Sequence, residues 1–324
     1  MSNLSPADHL VDRRLLQRKL SFWRVTAFVF LIILIVGVGL RLSGAGAPTS
    51  LTPHIARLSI AGFISGDRGT LKLIDEIADS KAQGVILSID SPGGTTTGAE
   101  KIYDAIRRLA AKKPVVAVAG NMAASGAYIA AISSDHIVAG GNSLVGSIGV
   151  LIEYPNLAGL LDKIGVKMDA VKSSPLKAEP SGYEETSPEV RAALASLVDD
   201  SYQWFKDLVR KRRNLTDTEL AAVDNGRVFT GRQALNLKLI DEIGGEREAV
   251  DWLVQKKGVK AGLPIRDWKA GSSFERLGIL GTSARIAEVF GFGGLARVLD
   301  KAEAYQDTRL LDGLLSIWQV DPVD

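Results

Sequence analysis

Residues 85 to 94 read Val-Ile-Leu-Ser-Ile-Asp-Ser-Pro-Gly-Gly. A short apolar, β-branched run bounded by turn residues predicts a buried strand that ends at Asp90, with a turn over Ser91-Pro92-Gly93-Gly94. Working outward, Leu71 to Ala82 places Leu71, Ile74, Ile77 and Ala78 at helical spacing, and Ile55 to Ile64 is strand-like. On the other side, Thr97 with Glu100 offers a capping box for a helix whose stripe is Ile102, Ala105, Ile106 and Leu109. Val115 to Ala119 predicts the next strand, followed by Gly120-Asn121-Met122-Ala123-Ala124-Ser125-Gly126 and a small-residue helix over 127–132. Further strands are predicted at 136–139, 147–152 and 168–171, and a long helix over 188–213. This βαβ alternation with short turns implies an α/β fold with a largely parallel sheet covered by helices.

Composition narrows the function. Of 324 residues, 46% are hydrophobic and 23% charged, which is globular. Lys plus Arg is 39 against 37 acidic residues, with no basic patch outside the N-terminus, so nucleic acid is not expected as a partner. The chain has no cysteine, which excludes disulfides, thiolate metal sites and a cysteine nucleophile. The three histidines, His9, His54 and His136, form no metal-type motif, so no metal is expected; no other cofactor is expected either. A Ser–His–Asp triad would have to use His136.

Residues 25 to 40 are uncharged and apolar, and 22–42 is just long enough to span a bilayer if Arg24 and Arg41 snorkel. Arg13, Arg14, Arg18, Lys19 and Arg24 precede the run, which places a basic tail, 1–21, in the cytoplasm and the body on the far side. Ala45-Gly46-Ala47 is a match to a signal-peptidase site, but the long N-terminal region favours an uncleaved anchor. Residues 43–54 read as a Gly/Ser/Pro-rich linker. The body is expected over 55–257 and a helical extension over 258–324.

In open α/β sheets ligands bind at the carboxyl ends of the strands, and two Gly-rich turns fall there. Gly93 and Gly94 offer backbone N–H groups suited to an oxyanion. Ser125 opens a helix among small residues that let a substrate backbone approach. A serine needs a base, and without a suitable histidine a neutral, desolvated lysine can serve. Lys172 and Lys177 flank Ser173-Ser174-Pro175-Leu176, and spacing alone does not choose between them. Ser147 and Ser174 read as turn residues, and Asp90 as a residue that could orient the turn or be solvated.

The ordered stretches Asp90–Gly94, GNMAASGAYIA at 120–130, GNSLVGSIGV at 141–150, VKSSPLK at 171–177 and GRVFTGRQALNLKLIDEIGG at 226–245 resemble the signal peptide peptidase A family. That family is related to the Clp protease and the crotonases. The resemblance implies a Clp protease/crotonase-like fold of repeated ββα/βαβ units. It implies Ser125 as nucleophile, Lys177 as general base, and an oxyanion hole from Gly94 with Gly93 and Gly126. The implied activity is a membrane-anchored serine endopeptidase that cleaves signal-peptide remnants or other short apolar peptides. The implied assembly is a homo-oligomeric ring such as an octamer. Ser174 stands where members commonly have Gly, and Tyr128 where many have two aromatics, which bears on the pocket rather than the dyad. A crotonase-like acyl-CoA enzyme and a catalytically silent membrane scaffold are the rival readings.

Overall fold

The computed structural model describes residues 22–31 and 52–269 and the backbone of 315–317. The chain divides into two units, Met1–Pro48 with Gly271–Thr308, and Thr49–Ala270 with Arg309–Asp324. In the first unit the described residues, 22–31, are helical and expose Phe22, Trp23, Phe28 and Phe30. Among the described residues no helix is long and apolar enough to cross a membrane. Of the expected span, 32–42 lies outside the described residues, as does the linker over 43–51.

The second unit runs β1 His54–Ile64, α1 Arg68–Asp79, β2 Ala82–Thr95, α2 Thr96–Ala110, β3 Val115–Ala124, α3 Gly126–Ile132, β4 His136–Ala139 and β5 Leu144–Gly146. It continues through α4 Ala158–Lys163, α5 Pro188–Arg213, α6 Asp217–Ala221, β6 Val228–Thr230, α7 Gly231–Asn236, β7 Glu242–Ile243, α8 Glu246–Lys257, β8 Ile265–Trp268 and β9 Leu315–Ile317. The described strands form one mixed sheet in the order β6-β5-β3-β2-β1-β8, with β4 and β7 on a branch from β3 and β9 on β2. All pairings are parallel except β5–β6 and β2–β9.

The central strands read as unbroken apolar runs because both faces are covered. Ala56, Leu58, Val85, Leu87, Ile89, Val115 and Ala117 enter the larger core with α1, α2 and α3. Ile55, Ile86, Val116 and Val138 point to the other face and pack on Ala249 and Leu253 of α8. Alternation with period two sends neighbouring residues to opposite faces.

Several expectations change in detail. The cap of α2 is Thr95, whose hydroxyl accepts from the Gly98 N–H at 3.0 Å, two residues before the expected Thr97. The strand expected at 168–171 is irregular, and Val171 is fully exposed. That apolar run faces solvent, so no neighbour completes its ladder. The strand expected at 147–152 lies earlier, at β5. The extension at 258–324 contributes strands β8 and β9 where helices were expected; the remainder, 270–314 and 318–324, lies outside the described residues. Four residues of β8 are too few to show a period, and its partner β1 is some 210 positions away in sequence.

Two irregularities position the site. The β2–β3 register jumps from Ile89↔Ala119 to Ser91↔Ala123, so Asp90 faces three residues, Gly120 to Met122, which arch out of the ladder. At this arch the outer edge of β3 changes partner, from β4 at Val116–Ala119 to β5 at Met122–Ala124. Beyond Ser91, β3 leaves β2, while β1 stays paired through Ile64↔Gly94. The vacated edge takes β9, antiparallel, at Gly93, Gly94 and Thr95.

Candidate active site

Ser125 sits between β3 and α3 with φ 58° and ψ −120°, a combination an L-residue adopts only when its surroundings impose it. Its N–H donates to the Gly146 carbonyl at 2.8 Å, and its own carbonyl accepts from Tyr128 and Ile129 at 2.9 and 3.1 Å. The reversal thus occurs within one residue, the geometry of a strand-to-helix nucleophile turn. Gly146 (φ 97°) and Ser147 (φ 51°) are themselves left-handed, and the Ser147 N–H is held by the Arg227 carbonyl at 2.8 Å. Ser147 is therefore part of the support under Ser125.

The helix that follows is a rigid platform. All seven residues of α3 are buried. Tyr128 donates its hydroxyl to the Leu239 carbonyl at 2.7 Å, and burial pushes that phenol well above its usual range. At the far end, Arg212 donates to the carbonyls of Ile132 and Ser134 at 2.7 and 2.6 Å, and Arg107 to that of Ser133 at 2.7 Å. These three guanidinium contacts satisfy carbonyls that a helix end leaves without intrahelical donors.

The glycine turn lies at the adjacent strand end. It continues β2 to Thr95 rather than leaving the sheet at Asp90 as a turn would. Gly94 is obligatory there, because a Cβ would lie 2.0 Å from the Ile64 carbonyl oxygen. The Gly93 N–H donates to the Ser91 hydroxyl at 3.1 Å, and the buried Ser91 hydroxyl donates to the Gly62 carbonyl at 2.6 Å. Gly93 therefore shapes the turn with an N–H already engaged. Gly126 is the first residue of α3, a position whose N–H has no acceptor within its own helix.

Lys172 and Lys177 separate clearly. Lys172 forms an ion pair with Glu179, whose second oxygen also accepts from the Ser181 N–H at 2.9 Å. That hydrogen bond holds the Lys172 ammonium above its ordinary pKa and the Glu179 carboxyl below its own. The pair closes the loop that carries Lys177, whose N–H donates to the Ser174 carbonyl at 3.1 Å. Lys177 is exposed, as is most of its segment: no residue from 149 to 189 is buried. Glu179 was not singled out from sequence, although its place seven residues after Lys172 was visible.

His136 does not join Ser125 within one chain. It pairs with Val116 at the start of β3, nine residues before Ser125, and because the arch takes up two of these the separation along the strand is roughly 20–25 Å. Its ring stacks on Trp252 at 4.7 Å and faces Glu242 at 3.2 Å. His54 is buried against Trp268. Among the described residues no cluster of His, Asp and Glu could hold a metal ion.

Comparison with known proteins gives the same direction. The model of peptidase family S49 matches residues 107–260, and that of the Clp protease residues 70–138. A Synechocystis sp. protein named "Putative protease slr0021" is 39% identical over 213 residues, covering 65% of this chain and 77% of its own. "Serine protease SPPA, chloroplastic" of Arabidopsis thaliana is 33% identical over 222 residues, covering 64% of this chain and 33% of its own. "Protease 4" of Salmonella typhi is 34% identical over 190 residues, covering 58% and 31%. The chain thus spans most of the first relative and about a third of the other two.

Proposed function

Because the chain belongs to peptidase family S49, the proteases related to signal peptide peptidase A, we propose that it is a membrane-anchored serine endopeptidase in which Ser125 and Lys177 form the catalytic dyad. The observation that carries this reading is the strained, buried Ser125 turn, two residues after Ala123, which pairs with Ser91 at the start of the glycine turn.

Neutral Lys177 takes the Ser125 proton as Oγ attacks a peptide carbonyl. The tetrahedral oxyanion is held by the N–H groups of Gly94 and Gly126. Lys177 returns the proton to the leaving amine, and water, deprotonated by the same lysine, releases the acyl group and restores Ser125. The ion pair supports this assignment of the base: Glu179 engages Lys172, and no acidic side chain pairs with Lys177 among the described residues.

The peptide is read to lie along the β2 edge past Ser91. That edge accepts an extended, antiparallel backbone from β9, which is the mode of strand addition. Substrates are short apolar peptides, signal-peptide remnants among them, delivered at the membrane by the 22–42 anchor, with the tail cytoplasmic and the body across the membrane.

The active form is a homo-oligomer, a ring such as an octamer. A lysine base must be desolvated, yet Lys177 is exposed in one chain. The same segment exposes Leu157, Leu160, Ile164, Val166, Met168 and Val171, an apolar surface that a second copy would cover.

The test is turnover of fluorogenic apolar peptides by the full chain in detergent, beside Ser125→Ala and Lys177→Ala, with oligomeric state measured for each. Loss in both variants with assembly intact supports the dyad. Full activity in either variant overturns it. Turnover of an acyl-CoA by wild type would favour the crotonase-like reading, and inert wild type the scaffold.

A further inference from the structure

We propose that Asp90 is a positioning residue for this reaction, acting by holding the Gly120–Met122 arch that delivers Ser125 to the glycine turn. The inference rests on the reading of Ser125 as nucleophile. One Asp90 oxygen accepts from the Met122 N–H at 3.1 Å and the other from the Asn121 amide at 2.9 Å. The carboxylate therefore bridges two of the three residues that the register jump leaves without ladder partners in β2. From the opposite side, the buried Ser143 hydroxyl donates to the Gly120 carbonyl. The arch is gripped at all three of its residues, by one side chain from β2 and one from the segment before β5.

The grip matters because of where the arch lies. Downstream of it, Ala123 pairs with Ser91 and Val145, Ala124 pairs with Gly146, and Ser125 follows. Without the two extra residues, β3 would meet β2 in the plain register, and everything beyond Gly120 would slide by two positions. Side-chain alternation would survive such a slip, so burial alone does not forbid it. Ser125 would move by about 6.6 Å along the strand relative to Gly94. Even a partial relaxation of the arch shifts the nucleophile against the oxyanion donors, and a displacement near 1 Å costs on the order of 100-fold in rate. Asp90 itself is exposed and belongs to no core, so its removal leaves the packing of the sheet in place.

The experiment compares wild type, Asp90→Ala, Asp90→Asn and Ser125→Ala as full chains. kcat and KM are measured for one apolar peptide, with kcat normalised to sites titrated by a serine-directed phosphonate. Asp90→Ala removes both contacts, and kcat per titrated site is expected to fall about 10- to 100-fold with KM within about twofold. Asp90→Asn keeps an oxygen for the Met122 N–H and an amide that can pair with a rotated Asn121, and is expected to stay within about threefold of wild type. A purely structural role predicts fewer titrated sites at normal kcat per site, which would overturn the proposal. So would Asp90→Ala at wild-type kcat, or Asp90→Asn as slow as Asp90→Ala, while Ser125→Ala is dead. Turnover surviving in Ser125→Ala would instead remove the nucleophile and the proposal together.

Discussion

The backbone N–H of Ser125 is bonded to the carbonyl of Gly146, and both residues sit at positive φ, 58° and 97°. Two strained turns thus hold each other. An alanine at 146 would be strained by its φ and would bring a Cβ within 3.0 Å of the Phe229 ring and 3.3 Å of the Arg227 carbonyl. Gly146→Ala is expected to destabilise the fold by about 1–3 kcal/mol. Its kcat is expected to fall by roughly an order of magnitude or more as Ser125 shifts. Thermal unfolding and steady-state kinetics on the same preparation check both. A Gly146→Ala chain with wild-type kcat would mean that the Ser125 turn does not depend on its neighbour.

The choice between the two lysines is directly testable. Lys177→Ala is expected to lower kcat by about 100- to 10,000-fold, the usual range for a general base. Lys172→Ala removes only the loop's ion pair and is expected to cost less than about tenfold. Glu179→Gln should resemble Lys172→Ala, since it breaks the same pair. A Lys172→Ala chain as inactive as Lys177→Ala would place the base, or its support, on Lys172.

A buried histidine makes the fold acid-sensitive. The Trp268 indole N–H, which can only donate, points at His54 Nε2 at 3.1 Å, so that nitrogen must accept. Nδ1 then carries the proton and donates to the Thr52 carbonyl at 2.7 Å. The ring is held neutral, and burial, with Arg266 and Lys113 nearby, lowers its pKa from 6.5. The unfolded chain therefore binds a proton here that the folded chain refuses, and stability drops as pH falls below about 6.5. Melting temperature is expected to decline from pH 7.5 to 5.5, and less steeply in His54→Gln, whose side-chain oxygen still accepts from Trp268. Equal slopes in both chains would contradict this.

The β9 contact bears on substrate access. If peptide and β9 use the same β2 edge, a chain shortened at Thr308 lacks an intramolecular competitor. Its apparent KM for short peptides is expected to fall severalfold with kcat unchanged, because a tethered segment competes at an effective concentration near millimolar. An unchanged KM would place the peptide elsewhere.

Sequence carried the fold a long way because central strands buried on both faces write themselves as apolar runs, as in Val85 to Ile89 and Val115 to Ala119. The helix over 188–213 was readable from the helical spacing of its apolar residues, of which Val190, Phe205 and Val209 are buried. Less legible was everything set by distant partners. Ser91 to Gly94 looks like a turn, yet β1 holds it in the sheet. The docking of β8 depends on pairs such as His54 with Trp268, 214 residues apart. Asp90 read either as orienting the turn or as a solvated strand end, because the arch it contacts lies some 30 residues downstream. Spacing leaves the two lysines open, because the Glu179 partner that engages Lys172 is set by the folding of the loop.

Everything proposed for this site depends on Ser125 acting as a nucleophile activated by Lys177. The most direct measurement is covalent labelling of the full-length protein by a serine-directed phosphonate, with the adduct mapped by mass spectrometry. A single adduct on Ser125 is expected, formed in wild type, abolished in Ser125→Ala and slowed at least about 100-fold in Lys177→Ala. An adduct on another serine, or labelling of Ser125 at the wild-type rate without Lys177, would contradict it.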